Sequence, residues 1–377
     1  MKKSLYMTTA LAAAGVLAFG ATDVIAAEKA KAKKAVNVSI KTGGYYKTTF
    51  GFGQNDGEFE STASATSRTH YDSFDVKADS ELYFSGSTTL DSGIDVGVNI
   101  HIETDNNAEG THVDQSDVWF KSKGLGTVTL GHTLHAALST KGGGTMPGAV
   151  GMGSPDVGEW VVRPAALAHN PSTGISAGKA MRVKFLSEET SGFTLALGYT
   201  PSSANSDVQP AVGGTAGTDS QIYDAGLKYK AKMGTATMTL DVGYWEQHGT
   251  AANSYDALRA GAKLEIGDLT IGGSYKDISD ADSANANTND EKAYEAAIQY
   301  TMGDAKVGMG FVNSVKPMTT TVGDDEATQY SIGASLVIGP GVDLLGTLIH
   351  VDWDDEGTAA ANNNDGWALV GGVKVSF

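Results

Sequence analysis

The chain has 377 residues with 44 acidic against 27 basic side chains, a formal net charge of −17, and no cysteine. That acidity argues against a nucleic-acid-binding surface, which needs a basic face, and the absence of cysteine excludes a disulfide scaffold. Glycine, at 48 residues, stands well above the ordinary share of about 7%; such an excess suits tight turns and close backbone approach in sheets.

Residues 1–26 combine Lys2 and Lys3, an apolar run from Leu11 to Phe19 and a small-residue ending at Ala26, the pattern of a secretory signal. A basic segment, 27–35, follows with Lys29, Lys31, Lys33 and Lys34, and reads either as a solvated tail or as a contact for an anionic polymer. Beyond the signal no stretch reaches the ~18 to 20 consecutive apolar residues of a membrane helix. An exported chain without such a helix is either soluble or a barrel.

From residue 36 onward the sequence alternates apolar with polar or small residues. The first such segment, 36–52, sets Val38, Ile40, Tyr46, Phe50 and Phe52 on one face and Ser39, Lys41, Lys47 and Thr49 on the other. This period outlasts the roughly five or six residues of an ordinary strand and is long enough to cross a bilayer obliquely. Further strands are predicted at 74–90, 94–102, 113–121, 127–132, 181–186, 193–199, 222–231 and 236–245, then at 255–266, 269–276, 294–302, 305–311, 328–338, 342–353 and 367–377. That makes an even set of sixteen, as bacterial barrels require. Connectors alternate between short ones (267–268, 303–304, 339–341) and long polar ones (201–220, 277–291, 314–327, 354–366), the arrangement of a barrel with turns at one rim and loops at the other. A propeller would give similar connectors every period.

With orientation taken from loop length, the outward aromatics sort into two belts. Tyr199, Tyr223, Tyr244, Tyr275, Tyr294, Phe311, Tyr330, Trp353 and Trp367 fall near the long-loop ends. Phe120, Phe185, Phe193, Tyr229, Tyr300 and Phe377 fall near the short turns. The strand at 342–353 is apolar on both faces, so its facing is the least defined.

One long segment, 133–178, breaks the alternation. It holds Pro147, Pro155, Pro164 and Pro171 and the run Gly142, Gly143, Gly144, and proline cannot donate to a sheet ladder. A loop this long needs a function and a place to pack, and the lumen of a wide barrel offers one. Within it, Ser154-Pro155-Asp156 predicts a short helix start running through Glu159.

The last strand, GWALVGGVKVSF, sets Trp367, Leu369, Gly371, Val373, Val375 and Phe377 on one face and stops at that phenylalanine. On its strand count, export signal, long third outer loop and this ending, the chain resembles the general porins of Gram-negative outer membranes. The expected fold is all-β, a sixteen-stranded antiparallel transmembrane β-barrel over 36–377, with 133–178 as a constriction loop in the lumen. The resemblance implies a homotrimer set in outer-membrane lipid and lipopolysaccharide, passing small hydrophilic solutes and ions by passive diffusion and needing no cofactor. It also implies that Phe377 is an assembly signal read by the barrel-assembly machinery. Family members set acidic residues of this loop against basic residues of the wall. The matching positions are Asp156 and Glu159 against Lys41, Lys47, Lys77, Arg182 and Lys184, with Arg163 joining them.

Two other classes compete, a barrel lipase or protease and a surface adhesin. Catalysis requires a nucleophile, base and orienter in reach of one another, and no local motif supplies them. The histidines are scattered, and His132 and His135 are three apart rather than the four of a zinc-protease helix, so no metal site is expected. Asp280, Asp282 and Glu291 mimic part of a calcium loop, but Asn285 stands where glycine is needed. The acidic runs 323–326 and 352–356 read as solvated loop tips or as points where a divalent cation bridges to lipopolysaccharide phosphate. Inward wall positions carry nearly balanced bases and acids, so the acidic surplus sits in the loops. A weak cation preference follows.

Overall fold

The period-two alternation resolves, in a computed structural model that describes residues 38–62, 71–104, 113–167, 171–174, 178–203, 221–249, 254–279, 290–318 and 323–377, into sixteen strands. They are β1 (Ser39–Gln54), β2 (Phe74–Thr89), β3 (Asp95–Glu103), β4 (Val113–Ser122), β5 (Gly126–Thr133), β6 (Ala180–Ser187), β7 (Phe193–Thr200) and β8 (Gln221–Met233). The second half comprises β9 (Ala236–His248), β10 (Tyr255–Ile266), β11 (Leu269–Ser279), β12 (Glu291–Met302), β13 (Ala305–Pro317), β14 (Asp324–Gly339), β15 (Val342–Asp354) and β16 (Asn364–Ser376). Each strand pairs antiparallel with the next and β1 pairs with β16, so the barrel closes and leaves no edge. No helix among the described residues is long and apolar enough to cross a membrane; the crossing elements are strands. The export signal expected at 1–26 and the basic tail at 27–35 lie outside the described residues.

Facing follows the pleat. On β14, Tyr330 and Ile332 are more than half exposed while Gln329 and Ser331 are buried, and a one-residue slip would exchange the two sets. Outward aromatics on neighbouring strands meet: Tyr199 with Tyr223 at 5.0 Å between ring centres, Phe311 with Tyr330 at 5.2 Å, and Phe193 with Tyr229 at 4.5 Å. Such cross-strand pairs add to sheet stability and fix register.

The seam between first and last strands ends on Phe377. Its N–H donates to Gly44 O at 3.1 Å and its carbonyl accepts from Gly44 N at 3.0 Å, while its ring is 70% exposed on the outer surface. Deleting Phe377 removes both seam bonds and the last apolar ring. We expect a several-fold lower yield of folded, heat-modifiable barrel in membranes; an unchanged yield would show that the final residue contributes nothing to closure.

Strand starts and stops match the sequence expectation at the short-turn rim and overrun it at the other. β13 continues to Pro317 rather than 311, and β14 begins at Asp324 rather than 328, which shortens the connector between them to 318–323. These extensions are polar and rise beyond the apolar band, where the ladder persists but hydrophobic alternation does not. A second correction concerns Trp353. Its placement in the outer aromatic belt is wrong: the ring is fully buried on the inner face and Nε1 donates to Val161 O at 3.3 Å.

Val161 belongs to the segment between β5 and β6, which turns in and follows the inner wall. Ala137 N donates to Asp224 of β8 at 2.6 Å, Gly142 O accepts from Arg259 of β10, and Ala149 N donates to Thr347 of β15 at 2.8 Å. Val162 N then reaches Asn55, just beyond β1, at 2.9 Å. The wall is cut back along this track: a methyl group at Gly226 would collide with Thr140, one at Gly333 with Pro147, and one at Gly53 with Trp160. Here the glycine excess serves close backbone approach. Val150, Val157, Trp160, Val161 and Leu167 pack against Ile349, Val351, Trp353 and Val370 in one buried cluster. Burial of each valine or leucine there contributes roughly 1.5–3 kcal/mol. This packing explains why β15 is apolar on both faces: one meets the surroundings and the other meets the loop.

Candidate pore constriction and its anchors

The predicted cap forms as expected. Pro155–Glu159 is a 3-10 turn, and Ser154 Oγ accepts from Asp156 N at 3.3 Å with Pro155 at the first position. The turn presents Asp156 and Glu159 to a recess of about 420 Å³ against β1 and β2, lined also by Tyr45, Lys47, Lys77, Asp79, Glu81 and Trp160. Lys47 Nζ lies 2.7 Å from Asp79, which also accepts from Tyr45 Oη at 2.6 Å. Lys77 Nζ lies 2.5 Å from Asp75 and sits 5.1 Å over the Trp160 ring. Lys374 joins from β16, 4.2 Å over the Tyr45 ring.

Lys47 and Lys77 are thus each held by a wall carboxylate, and the loop carboxylates come in addition. Glu159 is pushed above the ordinary glutamate range, first by crowding between loop and wall and then by the Asp156 charge, with Lys77 and Lys47 opposing. The residue nonetheless stays exposed to the lumen.

The other expected members stand elsewhere. Lys41 is exposed low on β1, opposite Ser85, and Arg163 is exposed beyond the turn. Neither lines the recess. Arg182 and Lys184, on β6, hold the two ends of the loop: Arg182 donates to Gly178 O at 3.1 Å and Ala180 O at 3.4 Å, and Lys184 to Thr133 Oγ1 at 3.3 Å and Leu134 O at 3.4 Å. Next to them His135 is buried edge-on to Trp245 at 4.9 Å, with Nδ1 4.0 Å from Asp224. Burial, then Arg182 and Lys184, push its pKa down to about 3, so it is neutral at physiological pH.

A third group is a buried clamp that the loop pattern did not single out. Arg259, 2% exposed, pairs with Asp241 and lies 4.0 Å from Glu295, while its other amino group donates to Gly142 O. Glu295 accepts from Ser274 at 2.5 Å, and Ser274 meets Thr173 of the returning loop at 2.7 Å. These charges were legible as inward wall positions. What named them as a clamp, the glycine run 142–144 passing beside them, required the fold.

A closed barrel of sixteen strands with an apolar exterior, charged interior and inward loop defines the class of outer-membrane channels. A family model described as Gram-negative porin matches residues 8–356, and the chain belongs to that family, whose members lie in the outer membrane as channels for passive diffusion. Among solved structures, the anion-selective porin from Comamonas acidovorans matches with a TM-score of 0.63 at 16% identity, over 90% of this chain and 100% of that one. The loop L8 deletion mutant of OmpT, an outer membrane protein of Vibrio cholerae, matches with a TM-score of 0.61 at 13% identity, over 90% and 99%. A mutant of the Rh. blastica porin matches with a TM-score of 0.57 at 15% identity, over 90% and 100%. No curated protein matches by sequence.

Proposed function

We propose that the chain forms a water-filled pore for small hydrophilic solutes and ions, narrowed where Asp156 and Glu159 of the inward loop face Lys47 and Lys77 of the wall. The observation that carries this is the recess lining itself, with carboxylates of a loop turned toward wall lysines. Such a pairing creates a transverse field at a narrow point, which sorts solutes by size and dipole. Charge bookkeeping gives the sign of selectivity. Asp79, Glu81, Asp156 and Glu159 of the lining, with the adjacent Asp75, stand against Lys47, Lys77 and the adjacent Lys374, five carboxylates to three ammonium groups. The preference is for cations and it is weak. The name of the Comamonas protein carries anion selectivity, and a shared fold does not transfer that property to this lining.

The active unit is a homotrimer in outer-membrane lipid and lipopolysaccharide, and Phe377 is the residue read by the barrel-assembly machinery. Purified protein added to a planar bilayer should give stepwise conductance increments, mildly cation-preferring and more so at low salt, because charges at a wide mouth act over only about 8 Å at physiological ionic strength. Insertion without current at any voltage would reject the channel.

A further inference from the structure

Beyond the pore, the start of β14 and the connector between β15 and β16 bring three carboxylates together. Asp325, second residue of β14, points inward and is fully buried; Asp355 and Glu356 begin the connector 355–363. Oxygens of all three lie within 4.8 Å of one another. Among the described residues no side-chain amide, hydroxyl or cationic group donates to either oxygen of Asp325; the donor beside it is the backbone N–H of Glu356. Its side-chain neighbours are the other two carboxyls, with Glu356 at hydrogen-bond reach. Asp355 Oδ2 accepts from Gly357 N at 3.2 Å and Asn362 Nδ2 at 3.0 Å. Lys316 stands opposite Asp325 in the register of β13 and β14, but no ion pair joins the two. A buried carboxylate persists only with a counter-charge, a donor or a proton. Here a single backbone N–H is set against the further negative charge of the surrounding side chains.

We propose that Asp325, Asp355 and Glu356 bind a divalent cation. Three carboxylate oxygens, one from the start of β14 and two from the connector 355–363, are hard donors of the kind Ca²⁺ takes, and an irregular set completed by water suits Ca²⁺ better than Mg²⁺, which demands near-ideal octahedral geometry. The ion ties the 355–363 connector to the start of β14. That junction lies just above Trp353 and Ala327, which cover the inward loop. The site would therefore stabilise the rim that holds the loop, independently of whether the loop sets ion selectivity.

The test uses refolded, lipopolysaccharide-free barrel in detergent, titrated with CaCl₂ against a chelator control. Thermal unfolding of the wild type should shift upward by several degrees, with half-effect at roughly 10⁻⁴–10⁻³ M, the range of extracellular calcium modules. Tb³⁺ should give tryptophan-sensitised emission displaced by Ca²⁺, Trp353 being two residues from Asp355. Asp325→Asn should abolish both signals, and Asp355→Asn gives the same reading should the first variant fold poorly. Asp268→Asn, in a turn at the opposite rim, should retain both. A wild type unmoved by Ca²⁺, or an Asp325→Asn variant that keeps the full shift, overturns the site. Stabilisation by acid instead of metal would show that a shared proton holds the cluster, and would overturn it equally.

Discussion

Asp156→Asn combined with Glu159→Gln is expected to shift ion selectivity toward anions and to remove the local cation preference. In the wild type five carboxylates (Asp75, Asp79, Glu81, Asp156 and Glu159) stand against three ammonium groups at and beside the recess. The double variant leaves Asp75, Asp79 and Glu81 against the same three, so the local charge passes from net negative to balanced. The wall pairs Lys47–Asp79 and Lys77–Asp75 stay intact, and the change is therefore confined to the loop side. Reversal potential in a salt gradient should move toward the anion side, most clearly at low salt, where screening is weakest. Glu159 adds a pH dependence. Its proton affinity is raised, so its charge is lost as pH falls through a value above that of an ordinary glutamate. Cation preference should weaken over that window, and Glu159→Gln should remove this component. An unshifted reversal potential in the double variant would mean that ions pass elsewhere in the lumen.

The sequence made the barrel legible because lipid on one side and water on the other impose a period of two on every crossing strand. Ile332 and Gln329 declare their faces without any knowledge of neighbours. The reading weakened wherever a third environment intruded. Trp353 looked like a belt aromatic because a large ring near a strand end usually sits at an interface. Its true partner is Val161, 192 residues away in sequence, inside the barrel. The same intrusion made both faces of β15 apolar, and an apolar inner face is the signal that marks where an inward loop rests. The lysines and arginines were equally legible as inward-pointing, but angular position around the barrel is not local information. Lys47 and Lys77 therefore line one recess with the loop carboxylates, while Arg182 and Lys184 attend the loop's root.

Arg259→Met is expected to be the most destabilising single change among the inner-wall residues. The guanidinium is buried and serves Asp241, Glu295 and the carbonyl of Gly142 together. Removing one partner of a buried ion cluster leaves uncompensated charge and costs about 3–5 kcal/mol, whereas replacing the whole cluster by apolar groups of similar volume is often neutral. The single variant should therefore unfold at lower denaturant concentration, and Arg259→Met with Asp241→Leu and Glu295→Leu should recover part of the loss. The two variants also separate stability from loop position. Both lack the bond to Gly142, so both should free the glycine run from the β10 wall and give noisier single-channel currents, even where the triple variant regains stability. Quiet currents in a triple variant of restored stability would show that the packing of Val157, Val161 and Leu167 holds the loop without the clamp. Wild-type stability in Arg259→Met would show that water reaches Asp241 and Glu295, and that the cluster is not buried in the working channel.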